Sequence, residues 1–163
     1  MDAKKIYKHI YSLLDNITPI KADCGKLCQS ACCKGDEDTG MYLFPYEEIM
    51  YGTNENWIKI YDSDFIFNKK PVKIAICSGK CDRKKRPLSC RIFPLFKLNG
   101  KISIDTRAKK ICPLARAIQL DEYNPEFVKN VKKVFNILNK FSETKRYILE
   151  TEKIIIEFKF LIR

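Results

Sequence analysis

Apolar residues recur at steps of three and four along residues 2–17, at Ala3, Ile6, Ile10, Leu13, Leu14 and Ile17. That period places them on one face of an amphipathic helix, which Pro19 ends. A second helical stripe runs through Val128, Val131, Val134, Phe135 and Leu138. Asn124 is placed to cap it, and Pro125 fits its first turn. The last segment carries two patterns at once. Ile148, Thr151, Ile155, Phe158 and Ile162 suit a helix; Ile154, Ile156, Phe158, Phe160 and Ile162 suit a strand. Its length favours the helix. Between these ends the period shortens. "MYLF", "DFIFN" and "VKIAI" read as strands. "PYEEIMYG" reads as a short helix, with Pro45 in its first turn and Glu47 and Glu48 near its positive end. "FPLFKLNGKISIDT" reads as a β-hairpin turning at Asn99-Gly100. The expected class is α+β: one small cysteine-rich domain over residues 1–163, with a β-hairpin and flanking amphipathic helices at both ends.

The 163 residues are 45% hydrophobic, enough for a single core without staples. No run approaches the roughly 20 apolar residues of a membrane span. The opening "MDAKKIYKHIYSLLDNI" alternates charged and apolar residues and has no signal-peptide core, so a cytoplasmic location is expected. Thiols stay reduced there, so the eight cysteines point to metal or redox chemistry, not to a disulfide framework. The formal net charge is +11 with every cysteine neutral. Eight thiolates on two dipositive centres would still leave the chain basic. The charge favours an acidic partner, such as an acidic protein, without naming one.

The cysteines change the picture most. "CGKLCQSACCK" holds Cys24, Cys28, Cys32 and Cys33; "CSGKCDRKKRPLSC" holds Cys77, Cys81 and Cys90; "KKICPLA" holds Cys112. Core cysteines scatter, and these cluster. Four and four is what two tetrathiolate sites would need, for zinc or for cubane iron–sulfur clusters. His9, the single histidine, lies on the N-terminal helix, which disfavours Cys/His zinc fingers and three-histidine catalytic zinc. Spaced at i, i+4 and i+8, Cys24, Cys28 and Cys32 fall on one face if the segment is helical. Cys33 points off that face. Adjacent cysteines rarely serve one small ion without strain, so Cys32 and Cys33 can feed different sites. The C-x3-C-x2-C triad of radical S-adenosylmethionine enzymes is not present.

Lys80, Arg83, Lys84, Lys85, Arg86 and Arg91 surround the second group. Cations beside tetrathiolate centres lower the cost of holding thiolates, and this reading ranks first. A solvated loop ranks second and a nucleic-acid patch third. No specific nucleic-acid binding is expected. Lys129, Lys132, Lys133 and Lys140 on the outer face of the helix from Pro125 allow only weak, salt-sensitive binding to polyanions.

"CGKLCQSACC", followed by "CSGKC", "RPLSCRIFP" and a late "CP", resembles the zinc- or iron-chelating cysteine-cluster (YkgJ-like) family. The resemblance spans residues 24–112, and Arg86-Pro87, Cys90-Arg91 and Phe93-Pro94 are its most specific piece. The same module resembles the cysteine-rich part of flagellin lysine N-methylases, where an iron–sulfur cluster is implied. By that resemblance all eight cysteines are metal ligands, and Arg86, Pro87 and Arg91 shape the loop around the cofactor. The first group is spaced more widely than the family's usual C-x2-C-x2-C-C, and the grouping of ligands stays open.

Other polar groups have simpler explanations. Asp36, Glu37 and Asp38 read as a solvated loop. Glu47 and Glu48 suit a helix's first turn without chemistry. Ser89 has no nearby histidine and is a poor nucleophile. Trp57 and the tyrosines read as core. No phosphate loop or dinucleotide glycine pattern is present. Three functions follow. The first is a metalloprotein holding an iron–sulfur cluster, [4Fe–4S] before zinc, in redox work or as an accessory to a protein-modification enzyme. The second is a zinc-stabilised module that meets nucleic acid or an acidic protein. The third is an enzyme like the flagellin N-methylases.

Overall fold

The computed structural model describes residues 2–34, 40–52, 55–79 and 81–161. The acidic residues Asp36, Glu37 and Asp38, together with Lys80 and Ile162, lie outside the described residues. The class is α+β, with six α-helices, five strands and several 3-10 turns among the described residues.

Helix α1 spans Ala3–Ser12 and is capped by Asp2, whose carboxylate accepts from the Lys5 amide. It is shorter than the 2–17 expected from its apolar period. Tertiary partners take over where it ends: the Leu13 carbonyl accepts from Asn130 Nδ2 at 2.9 Å, and Asp15 pairs with Arg91. Ser12 Oγ also donates to the His9 carbonyl, competing with the helical ladder. Near the other end of the chain, α5 (Pro125–Leu138) starts as expected, with Asn124 accepting from the Glu126 amide and Pro125 in the first turn. It buries Val131, Val134, Phe135 and Leu138 and leaves Lys129, Lys132 and Lys133 exposed, as is Lys140 just past its end. The ambiguous last segment is helical, α6 from Ser142 to Leu161, and buries Tyr147, Ile148, Thr151 and Ile155. No helix among the described residues is long and apolar enough to cross a membrane.

Two antiparallel sheets fill the middle. Strands β1 (Met41–Tyr42), β2 (Ile58–Phe67) and β3 (Lys70–Cys77) pair in the order β1-β3-β2. β2 starts six residues before the apolar run that predicts it, and its register shifts between Asp62 and Ile66. Asn68 and Lys69, both left-handed, turn it into β3; the turn has no glycine, so the sequence did not advertise a hairpin. The hairpin β4 (Leu95–Leu98) and β5 (Lys101–Ile104) closes at Asn99-Gly100, as expected, with both residues at positive φ. Gly40 lies where β1 meets β3, and a Cβ there would come within 2.7 Å of the Ala75 carbonyl.

The main core joins α1, α5, α6 and β4 around Phe44, whose ring lies 5.3 Å from Tyr147 and 6.5 Å from Phe96 and Phe135. The outer helices thus share one apolar cluster. Because Asn124 caps α5 from this core's edge, Asn124→Ala is expected to cost about 1 kcal/mol. Thermal unfolding would check this; an unchanged midpoint would contradict it.

Candidate metal centre

Three stretches of chain carry the cysteines. Cys24 opens α2 (Cys24–Leu27), and Cys32 and Cys33 close a 3-10 turn, Ala31–Cys33. Cys77 ends β3, with Cys81 four residues on. Cys90 lies in α3 (Leu88–Ile92), and Cys112 precedes Pro113 at the start of α4 (Pro113–Ala117). Aspartates anchor these short elements. Asp23 accepts from the Gly25 amide, Asp82 from Lys84 and Asp105 from Arg107, each at the head of a helical turn.

The expected helical face through Cys24, Cys28 and Cys32 does not form. α2 ends at Leu27, and Gln29 and Ser30 are left-handed, with φ of 51° and 55°. Two such residues in a row cannot continue an α-helix. The Ser30 amide turns back to the Gly25 carbonyl at 2.8 Å, so Cys32 is folded back instead of standing two turns along.

All eight cysteines are free thiols. They line two adjoining cavities. One, of about 50 Å³, is bounded by Cys24, Cys28, Cys32, Cys90 and Cys112, with Arg83 and Arg86 in its wall. The other, of about 100 Å³, is bounded by Cys32, Cys33, Cys77, Cys81 and Cys90, with Arg86 and Trp57 beside them. Each exceeds the roughly 10–15 Å³ one water needs. Among the described residues, no three Cys, His, Asp or Glu side chains converge as they stand on one point that could hold a metal ion. The thiols surround space; they do not close on a point.

Their electrostatics suit a cationic occupant. Burial raises the thiols of Cys24, Cys81 and Cys90, and neighbouring cysteines raise them further. Arg83 opposes this at Cys24, and Arg86 opposes it at Cys81. Cys32 Sγ and Cys33 Sγ stand 4.0 Å apart, and the hydrogen bond between them lowers Cys33 and, with burial, raises Cys32. Thiolates packed this way repel one another, and a dipositive centre relieves both the burial cost and the repulsion. The Tyr123 hydroxyl, on a residue 2% exposed, has no hydrogen-bond partner. Burial raises its phenol, and the nearby Cys112 and Cys24 add to the shift. A buried orphan hydroxyl costs about 1–3 kcal/mol, which a thiolate or sulfide acceptor would recover.

The two arginines divide the labour. Arg86 Nε donates to Cys81 Sγ at 3.1 Å, so it touches a candidate ligand directly. Arg91 is buried and holds the chain around the site. It meets Asp15 at 2.5 Å, donates to the Arg86 carbonyl at 2.7 Å and to the Lys84 carbonyl, and lies 4.0 Å over the Tyr11 ring. Of the remaining basic run, Lys84 and Lys85 are exposed. Ser89 Oγ donates to the Tyr42 carbonyl, a structural bond.

One residue was misread from sequence. Glu47 begins a 3-10 turn, Glu47–Met50, yet its side chain is fully buried. It accepts from Tyr11 Oη at 2.6 Å, from the Phe44 amide at 2.9 Å and from the Leu88 amide at 2.5 Å. It thereby ties α1 to the start of α3, two residues before Cys90. Next to exposed Glu48, nothing in the local pattern marks it. Comparison of the chain with family models, with characterised proteins and with solved structures finds no match.

Proposed function

We propose that this protein is a cysteine-cluster metalloprotein that holds an iron–sulfur cluster, with zinc as the alternative, and works in electron transfer or as an accessory to a protein-modification enzyme. One observation carries the reading: three stretches of chain, spread over residues 24–112, bring all eight free cysteines around two adjoining cavities. Packing alone has no need of so many thiols in one place. The spread of the thiols around open space favours the larger group, a cluster, over a single ion. The cysteine spacing and the Arg86-Pro87, Cys90-Arg91 and Phe93-Pro94 pairs support the same reading through the cysteine-cluster resemblance. A bound centre would be held by thiolates, with Arg86 donating to the sulfur of Cys81 and Arg91 keeping the 84–91 loop in place. Such a cluster supplies one-electron chemistry.

Cys33 supplies the test, because its thiol is the lowered one of the vicinal pair and is part-exposed, so it should react freely if it ligates nothing. Protein kept from oxygen should resist alkylation at Cys33 until a chelator is added. Rapid alkylation of Cys33 without chelator, at the rate of a free thiolate, would count against the reading.

A further inference from the structure

We propose that the chain builds two tetrathiolate centres side by side, Cys24, Cys28, Cys32 and Cys112 holding one and Cys33, Cys77, Cys81 and Cys90 the other. The assignment rests on the metalloprotein reading above and says how the ligands divide.

The cavities make the first cut. Cys24, Cys28 and Cys112 border only the smaller one, and Cys33, Cys77 and Cys81 only the larger; Cys32 and Cys90 border both. The adjacent pair settles those two. Cys32 Sγ and Cys33 Sγ stand 4.0 Å apart on neighbouring residues, which rarely serve one ion without strain, so Cys32 joins Cys24, Cys28 and Cys112, and Cys90 completes the larger cavity's three. The backbone separates the adjacent pair independently. Gly79, at φ +78°, packs so closely on the Cys33 carbonyl that a Cβ there would lie 3.2 Å from it. Cys33 therefore stands against the Cys77–Cys81 loop, while Cys32 shares the smaller cavity with Cys24 and Cys28. The arginines differ in place as well: Arg83 borders only the smaller cavity, and Arg86, which borders both, bonds Cys81 of the larger. The vicinal pair is thus the seam between two centres, and neighbouring residues serve different metals without straining to reach the same one.

Metal per chain decides the matter, measured on protein purified without oxygen as wild type, Cys112→Ser and Cys81→Ser. Wild type should hold two centres, as about two zinc or about eight iron with matching sulfide. Each variant should hold half of that. In Cys112→Ser the second set should stay protected from alkylation, and in Cys81→Ser the first. One centre per wild-type chain would overturn the division even if both variants fail to fold, and would leave the metalloprotein reading standing. So would folded variants that both lose all their metal. Metal-free wild type would bring down both.

Discussion

With a metal bound as proposed, stripping it is expected to loosen the segments around Cys24–Cys33, Cys77, Cys90 and Cys112 while α5 and α6 stay helical. The short elements there cannot stand alone. α2 has four residues and α3 has five, well below the roughly 12 an isolated helix needs even to be marginal. Binding energy at a structural thiolate site is folding energy, on the order of 10 kcal/mol. The outer helices keep an apolar cluster that contains no cysteine. Amide exchange should therefore accelerate by orders of magnitude in the cysteine segments and change little at Val131, Val134 and Ile148. Cys90→Ser should reproduce part of the effect. Unchanged protection near Cys28 and Cys90 after chelation would mean that these cysteines are packing residues.

Glu47→Ala should be the most damaging single change outside the cysteines. It orphans the buried amides of Phe44 and Leu88, at roughly 1–3 kcal/mol each, and leaves a cavity in addition. Tyr11 keeps a partner in Tyr51 at 3.0 Å and loses less. A loss of about 3–6 kcal/mol follows, read as a shift in the denaturation midpoint. Glu47→Gln keeps one acceptor oxygen and should lose less. The two variants also differ from wild type in pH dependence. Burial raises the Glu47 carboxyl above its ordinary 4.5, against the pull of its hydrogen bonds and Arg91. The folded state then holds that proton more tightly than the unfolded state, so this group's contribution grows as pH falls through and below that raised value and is lost as pH rises through it. Glu47→Gln should remove this slope. A Glu47→Ala variant as stable as wild type would show that the buried carboxylate is incidental to the fold.

The terminal helices and the Asn99-Gly100 hairpin were legible because each is a local matter. Their apolar residues repeat at the period of the element, and their caps lie within three residues of it. The end of α1 was not legible, since Asn130 and Arg91 set it from far along the chain. The helical face through Cys24, Cys28 and Cys32 was a fair reading of spacing, but left-handed Gln29 and Ser30 broke it, and neither is a residue type that announces that conformation. Cysteine clustering was plain from sequence. The division of the cysteines was not, because it depends on how β3, α3 and the turn before α4 close around the first group. Arg86 was expected beside the thiolates and does touch one. Arg91 was expected to shape the loop; it lines the smaller cavity, and its bonds run to Asp15 and to the carbonyls of Tyr11, Lys84 and Arg86.

Elemental and sulfide analysis of the protein purified without oxygen, with its visible spectrum, tests the central claim most directly. The expected result is stoichiometric iron with matching inorganic sulfide and a brown colour, or, for the alternative, stoichiometric zinc without colour. A colourless, metal-free protein that is fully folded, with its cysteines joined in disulfides, would contradict it.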